Sequence, residues 1–193
     1  ALRLPTGGVI APNATGTNAA LTSSEGIALS ANLDAGAPIA VAPVPSPLTA
    51  AYKGNGTALN VYDDQGNAIP MQIYFVKTAA NTWSVISEVQ PADTTLPAVN
   101  VGTSSITFDG NGKPTAVPAV TVTIPAGTYK AGIPSTPVAP ATGLTAVPIK
   151  MGDGTAAHPY TLTQYGSKFA INDLTQDGYS AGEMTGISIG END

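Results

Sequence analysis

One histidine, thirteen Asp+Glu and seven Lys+Arg supply nearly all the acid–base chemistry of this chain, and it holds no Cys. A Ser-His-Asp triad or a His-ligated metal would have to be built on His158. That residue precedes Pro159 in a loop-like stretch with no partner at ligand spacing, so it reads as a solvent-facing or structural histidine. Asp63 and Asp64 offer a carboxylate pair of the glycosidase kind, but adjacent strand residues point to opposite faces, and a turn role fits better. Asp109-Gly110-Asn111-Gly112-Lys113 starts like a calcium loop, yet Lys113 stands where an oxygen ligand belongs and Val120 where Glu is needed. It reads as a hairpin turn. Gly152-Asp153-Gly154 and Gly54-Asn55-Gly56 lack both the third glycine of a dinucleotide fingerprint and the Gly-Lys-Ser/Thr of a phosphate loop, so they too read as turns.

Asn13-Ala14-Thr15 and Asn55-Gly56-Thr57 match the glycosylation acceptor pattern, which a Thr-rich chain produces by chance. Trp83 and the tyrosines at 52, 62, 74, 129, 160, 165 and 179 could line a carbohydrate-binding face. Trp83, however, sits inside a strand pattern and reads as a core anchor. An enzyme would need two carboxylates across a cleft, and His158, Asp63, Asp64, Asp153 and Asp177 are the groups whose substitution would test it. No catalytic, cofactor-binding or metal-ligating residue is assigned, no cofactor is expected, and the chain is read as a non-enzyme.

The elements that carry these residues are short. Twenty-one Gly and seventeen Pro in 193 residues leave little room for a long helix. The longest window free of both, 71–90, alternates Met71, Ile73 and Phe75, breaks at Ala79-Ala80-Asn81, and resumes with Trp83, Val85 and Val89. With the alternation at 57–62 and the turn residues Asp63 to Asn67, this predicts three antiparallel strands at about 57–63, 68–77 and 82–90. The same grammar predicts strands over 26–33, with Ile27, Leu29, Ala31 and Leu33 on one face, and over 104–108, 119–124, 144–151, 159–164 and 184–189. Short strands at this spacing imply an all-β fold, an antiparallel β-sandwich or partly closed barrel. The proline-rich stretches 38–47 and 133–141 read as extended surface connectors within one domain.

Composition removes several classes of function. A net charge of −6, with only 10% charged residues and scattered cations, gives no basic stripe to engage phosphates, so no nucleic-acid partner is expected. No apolar run approaches the roughly 18 residues of a spanning helix, so no membrane partner is expected either. The core must come from 41 Leu, Ile, Val and Phe rather than from the 30 Ala, and solubility from Thr, Ser, Asn and Gly. Ala1 follows no initiator Met or signal segment, and the chain reads as an excised piece.

Val61-Tyr-Asp-Asp-Gln-Gly-Asn67, then Ile73-Tyr-Phe-Val-Lys-Thr78 and Asn81-Thr-Trp-Ser-Val85, resemble the outer-domain signature of the bacterial flagellar hook protein. Ile106-Thr-Phe-Asp-Gly-Asn-Gly-Lys113 is similar to the strand and turn that follow in that family. Thr163-Gln-Tyr-Gly-Ser167 and Leu174-Thr-Gln-Asp-Gly-Tyr-Ser-Ala-Gly-Glu183 resemble the place where its chain returns from outer to inner domain. The likeness covers about 57–113 and 161–189; residues 114–160 match nothing in it, and the family's terminal helices are missing.

That resemblance implies an outer β-domain at 20–178, with 1–19 and 179–193 as entering and returning stubs of an inner domain. It implies a structural subunit of the hook, an extracellular tube that transmits torque while it bends. Its partners would be copies of itself and, beyond them, the hook cap and hook–filament junction proteins, while the isolated piece should be monomeric. The rival reading is a secreted adhesin or carbohydrate-binding β-sandwich, which would need an exposed aromatic platform or a metal-supported loop.

Overall fold

The computed structural model describes residues 9–16, 26–91, 95, 97–117, 120–125, 144–180 and 182–183. They form β1 (Val9–Ile10), β2 (Ile27–Asp34), β3 (Gly56–Tyr62), β4 (Ala68–Ala79), β5 (Thr82–Val89), β6 (Val99–Phe108), β7 (Pro114–Ala116), β8 (Val120–Ile124), β9 (Leu144–Lys150), β10 (Leu162–Tyr165), β11 (Ala170–Gln176) and β12 (Gly182–Glu183). The fold is all-β, as expected. Among the described residues a single 3₁₀ turn, Ala50–Tyr52, interrupts the strands and loops.

β3 to β7 make one antiparallel sheet in sequence order. Two of its corners, β3–β4 and β6–β7, share one device, an Asp whose carboxylate organises the next four residues. Asp63 Oδ1 accepts the N–H groups of Gln65 (3.0 Å) and Asn67 (2.8 Å), and Oδ2 accepts the Asn67 side-chain amide. Asp109 Oδ1 accepts the N–H groups of Asn111 (2.8 Å) and Lys113 (2.9 Å) in the same way. The fourth residue of each turn, Gly66 at φ 78 and Gly112 at φ 76, takes the left-handed conformation that disfavours a side chain. Both sequence windows are therefore turns.

The second sheet runs β10-β2-β9-β8, with β11 on the far edge of β2. β11 is antiparallel to β2, whereas β10 and β9 lie parallel to it, pairing with residues 31–34 and 27–28. Parallel neighbours need a long crossover, and here the whole meander of the first sheet is threaded between β2 and β9. Tight-turn signals cannot report such pairings, so the mixed character of this sheet goes beyond the antiparallel order expected.

The two sheets close over one core. Ile27, Leu29, Ala31 and Leu33 from β2 meet Met71, Ile73, Phe75, Trp83, Val85 and Val89 from β4 and β5, all of them buried. Residues 73–77 of β4 are buried on both faces, against the alternation of a half-exposed strand. The cause is the proline-rich segment, which crosses the outer face as a strap: Leu48, with Ala40, Val44 and Tyr52, packs on Tyr74, Val76 and Ile86. Residues 38–47 are thus a surface connector, and one with a second small core beneath it.

The windows at 57–63, 68–77, 82–90, 26–33, 104–108, 119–124 and 144–151 all fall on strands, and 159–164 overlaps β10 at its end. β11 is the longest strand the sequence did not announce, beside the short β1, β7 and β12. Its Ala-Ile-Asn-Asp-Leu-Thr-Gln alternates poorly because a bulge at Ile171/Asp173 shifts the register and much of the strand is exposed. The expected strand 184–189 and connector 133–141 lie outside the described residues.

Candidate functional site

The residues with possible chemistry are dispersed. His158 is exposed and closes a short loop: its carbonyl accepts the N–H groups of Asp153 (3.0 Å) and Gly154 (3.1 Å), and its Nδ1 stands 3.8 Å from Asp153 Oδ2. The Asp153 carboxyl is held below its ordinary range by the Thr155 hydroxyl and N–H, with a smaller contribution from His158. The Asp109 carboxyl is likewise lowered, first by the Lys113 N–H. Asp63 is buried within its own turn, Asp64 is exposed beside it, and Asp177 accepts the Gly16 N–H at 2.8 Å. The Asp63, Asp109, Asp153 and Asp177 carboxylates each accept a backbone N–H. Among the described residues no three His, Asp or Glu side chains gather as metal ligands.

Trp83 is fully buried, as expected of a core anchor, and its Nε1 donates to Gln164 Oε1 at 2.7 Å. Tyr74 is buried as well, whereas Tyr165 and Tyr179 are exposed. The fold therefore takes the one indole out of any sugar-stacking face.

What the fold does assemble is a junction between its first and last described strands. β1 and β12 run antiparallel, Val9 opposite Glu183 and Ile10 opposite Gly182, and Asn13 bridges Tyr179 through 3.0 and 2.9 Å backbone bonds. Thr15, fully buried, fastens this first segment to β3 and β11. Its N–H donates to the Tyr62 carbonyl (2.9 Å), its Oγ1 accepts the Tyr62 N–H (2.9 Å), and its hydroxyl donates to Gln176 Oε1 (2.9 Å). A Cβ on Gly178 would stand 2.4 Å from Thr15 Oγ1, so only glycine lets the returning leg come this close. Thr15 drew notice in the sequence only through a glycosylation pattern. Its role depends on partners far along the chain.

Two lysines hold the strap at either end. Lys77, almost wholly buried, donates to the carbonyls of Ala35 (2.6 Å) and Ala37 (3.1 Å) and lies 5.9 Å from the Trp83 ring centroid. Lys53 pairs with buried Glu88 at 2.9 Å, and Glu88 Oε1 accepts the Leu48 N–H at 2.5 Å. Burial pulls the Lys53 pKa down, but the hydrogen bond and charge of Glu88, aided by Tyr74, outweigh it and leave the ammonium raised above its ordinary value.

Sheet, strap and junction define an all-β module whose first and last described strands pair with each other. The chain belongs to the family described as the flagellar basal body protein FlaE D2 domain, which matches residues 32–179. Over 61 residues it is 39% identical to the flagellar hook protein FlgE of Salmonella typhimurium, and equally to that of Salmonella typhi. The matched stretch covers 32% of this chain and 15% of each relative. A solved 32 kDa fragment of FlgE from Caulobacter crescentus is similar at 21% identity and a TM-score of 0.44, over 65% of this chain and 46% of that one. The resemblance read from the hairpin residues is borne out. The family match also runs through 114–160, the stretch that the motifs left unplaced. This is a structural family of the flagellar hook, not one known for catalysis.

Proposed function

We propose that this chain is the outer domain of a hook subunit, with 20–178 as the domain and 1–19 and 179–193 as the legs of an inner domain. In this reading copies polymerise outside the cell, and outer domains of neighbouring subunits touch and slide as the tube bends and transmits torque. The hook cap and the hook–filament junction proteins are its further partners. The observation that carries the reading is the junction. A module inserted into another domain needs its entering and leaving strands side by side, as β1 and β12 are, and Thr15 ties the entering leg to the meander and to β11.

Surface chemistry supports the same conclusion. Large dry interfaces lock, and fixed ion pairs specify one register, so a sliding contact should be polar and sparsely charged. Here 10% of residues are charged, and the described residues hold three ion pairs, of which only Lys53–Glu88 involves a buried carboxylate. The adhesin reading loses its natural anchor with Trp83 inside the core. Sedimentation of this chain beside its full-length parent, with electron microscopy of any polymer, tests the proposal: a monomeric chain and a tube-forming parent are expected. A parent that forms no tube, together with a chain that binds a glycan, would overturn it.

A further inference from the structure

A groove of about 690 Å³ runs between the strap and β4, and its character differs from the rest of the surface. Phe75 and Phe169 line it, their ring centroids 5.8 Å apart, and Ile39 and Val41 border it. Those two side chains are 53% and 77% exposed, although aliphatic residues of this size usually hide. They are adjacent members of the small set of large exposed hydrophobics in the described chain, and both face this one groove.

Its charge is also opposite to that of the whole. The chain carries a net charge of −6, yet the groove is lined by Lys77 and Lys168 against a single carboxylate, Asp34. Asp34 pairs with Lys168 at 3.3 Å, while no carboxylate of the described residues lies within 4.0 Å of Lys77 Nζ, which rests on backbone carbonyls. An apolar channel with excess positive charge, on an acidic protein, is complementary to an apolar stretch that carries a carboxylate. Heterologous contacts of this kind, one patch against a different patch, are what build open polymers.

We propose that this groove receives an extended acidic segment from a second copy of the chain, its apolar side chains against Ile39, Val41 and Phe169 and its carboxylate at the Lys77–Lys168 end. The inference rests on the self-assembly proposed above and gives that contact an address. Because the chain has no Cys, Val41→Cys places a single benzophenone label within it on an exposed side chain. The labelled full-length protein is polymerised and irradiated, and adducts are mapped by mass spectrometry. Tubes whose Val41 adduct joins two copies at a peptide holding Asp or Glu support the proposal. So does a roughly two- to fivefold fall in adduct yield on Lys168→Glu, the scale of one exposed charge pair. Lys168 is fully exposed, so its reversal costs the fold only its surface pair with Asp34, and Lys168→Met, which removes the charge without opposing Asp34, serves as the control. Tubes that give only adducts within one copy, or adducts at peptides without a carboxylate, overturn the groove and leave self-assembly standing. Failure of the unlabelled parent to form tubes overturns the self-assembly reading and this inference with it.

Discussion

Trp83 and Gln164 are joined by a buried 2.7 Å hydrogen bond that ties β5 of the meander to β10 of the mixed sheet across 81 residues of chain. Gln164 is itself fixed, its side-chain amide donating to Asn81 Oδ1 at 3.0 Å and its N–H to the Gly112 carbonyl at 2.9 Å. The indole thus enters the core without an orphaned donor, and the two sheets gain a polar pin at their centre. Trp83→Ala should cost about 3–5 kcal/mol as a core truncation. Trp83→Phe keeps a ring but strands Gln164 Oε1, for about 1–3 kcal/mol. Urea unfolding followed by circular dichroism reads both, and a loss below about 1 kcal/mol for the alanine variant would remove Trp83 from the core.

Gly112 carries the other side of this pin. At φ 76 its missing Cβ would stand 2.2 Å from the Gln164 carbonyl oxygen, so a side chain is opposed by both backbone strain and backbone contact. Gly112→Ala should destabilise by about 1–3 kcal/mol. Gly110, two residues away, has nothing within 4 Å of its virtual Cβ and no positive φ. Gly110→Ala should stay within about 0.5 kcal/mol of the parent. Equal losses from the two substitutions in thermal melts would contradict the close approach of the turn to β10.

Alternation and turn chemistry made the meander readable, because both are local. Met71, Ile73 and Phe75, the Asp63 and Asp109 turns, and the Ile27-to-Leu33 face declare themselves within ten residues. Gln164 could not be recognised as the partner of Trp83, nor Thr15 as the clasp of the junction, since each depends on contacts that only the folded sheet order creates. β11 was hidden for a related reason: an edge strand with a bulge needs little apolar alternation, and its polar Asn172-Asp173 guards the edge. The strap was legible as extended chain from its prolines. Its buried underside was not, because the residues it covers belong to β4 and β5.

Thr15→Val tests the junction with little change of shape. The valine leaves the Tyr62 N–H without its 2.9 Å acceptor and Gln176 Oε1 with the Gly178 N–H alone, at an expected cost of about 1–3 kcal/mol. The loss should be local. Amide hydrogen exchange at Tyr62 and Gly178 should quicken while Val85, inside the core, keeps its protection. Uniform acceleration across the meander would mean that the legs and the sandwich unfold as one unit.

Acid and base should act on different parts of the molecule. The Asp34, Asp109 and Asp153 carboxyls are all lowered from their ordinary 3.8, chiefly by hydrogen bonds from Gly36, Lys113 and Thr155 respectively. Each therefore adds stability that is present above the unfolded value and lost as pH falls through the folded one. Lys53 is raised above 10.5, so its contribution is complete below that value and disappears as pH rises through the higher folded one. Melting temperature against pH should accordingly show a plateau between about pH 5 and 10, with shoulders below and above it. Lys53→Met should remove the alkaline shoulder and, by leaving Glu88 buried without its cation, cost about 3–5 kcal/mol at neutral pH. Glu88→Gln still accepts the Leu48 N–H, and Lys53 still reaches water, so it should cost less. Adding Glu88→Gln to Lys53→Met should recover part of the loss, because the buried charge is gone. A double variant no more stable than Lys53→Met alone would show that the strap is held by Leu48 and Tyr52 packing, with the ion pair contributing nothing.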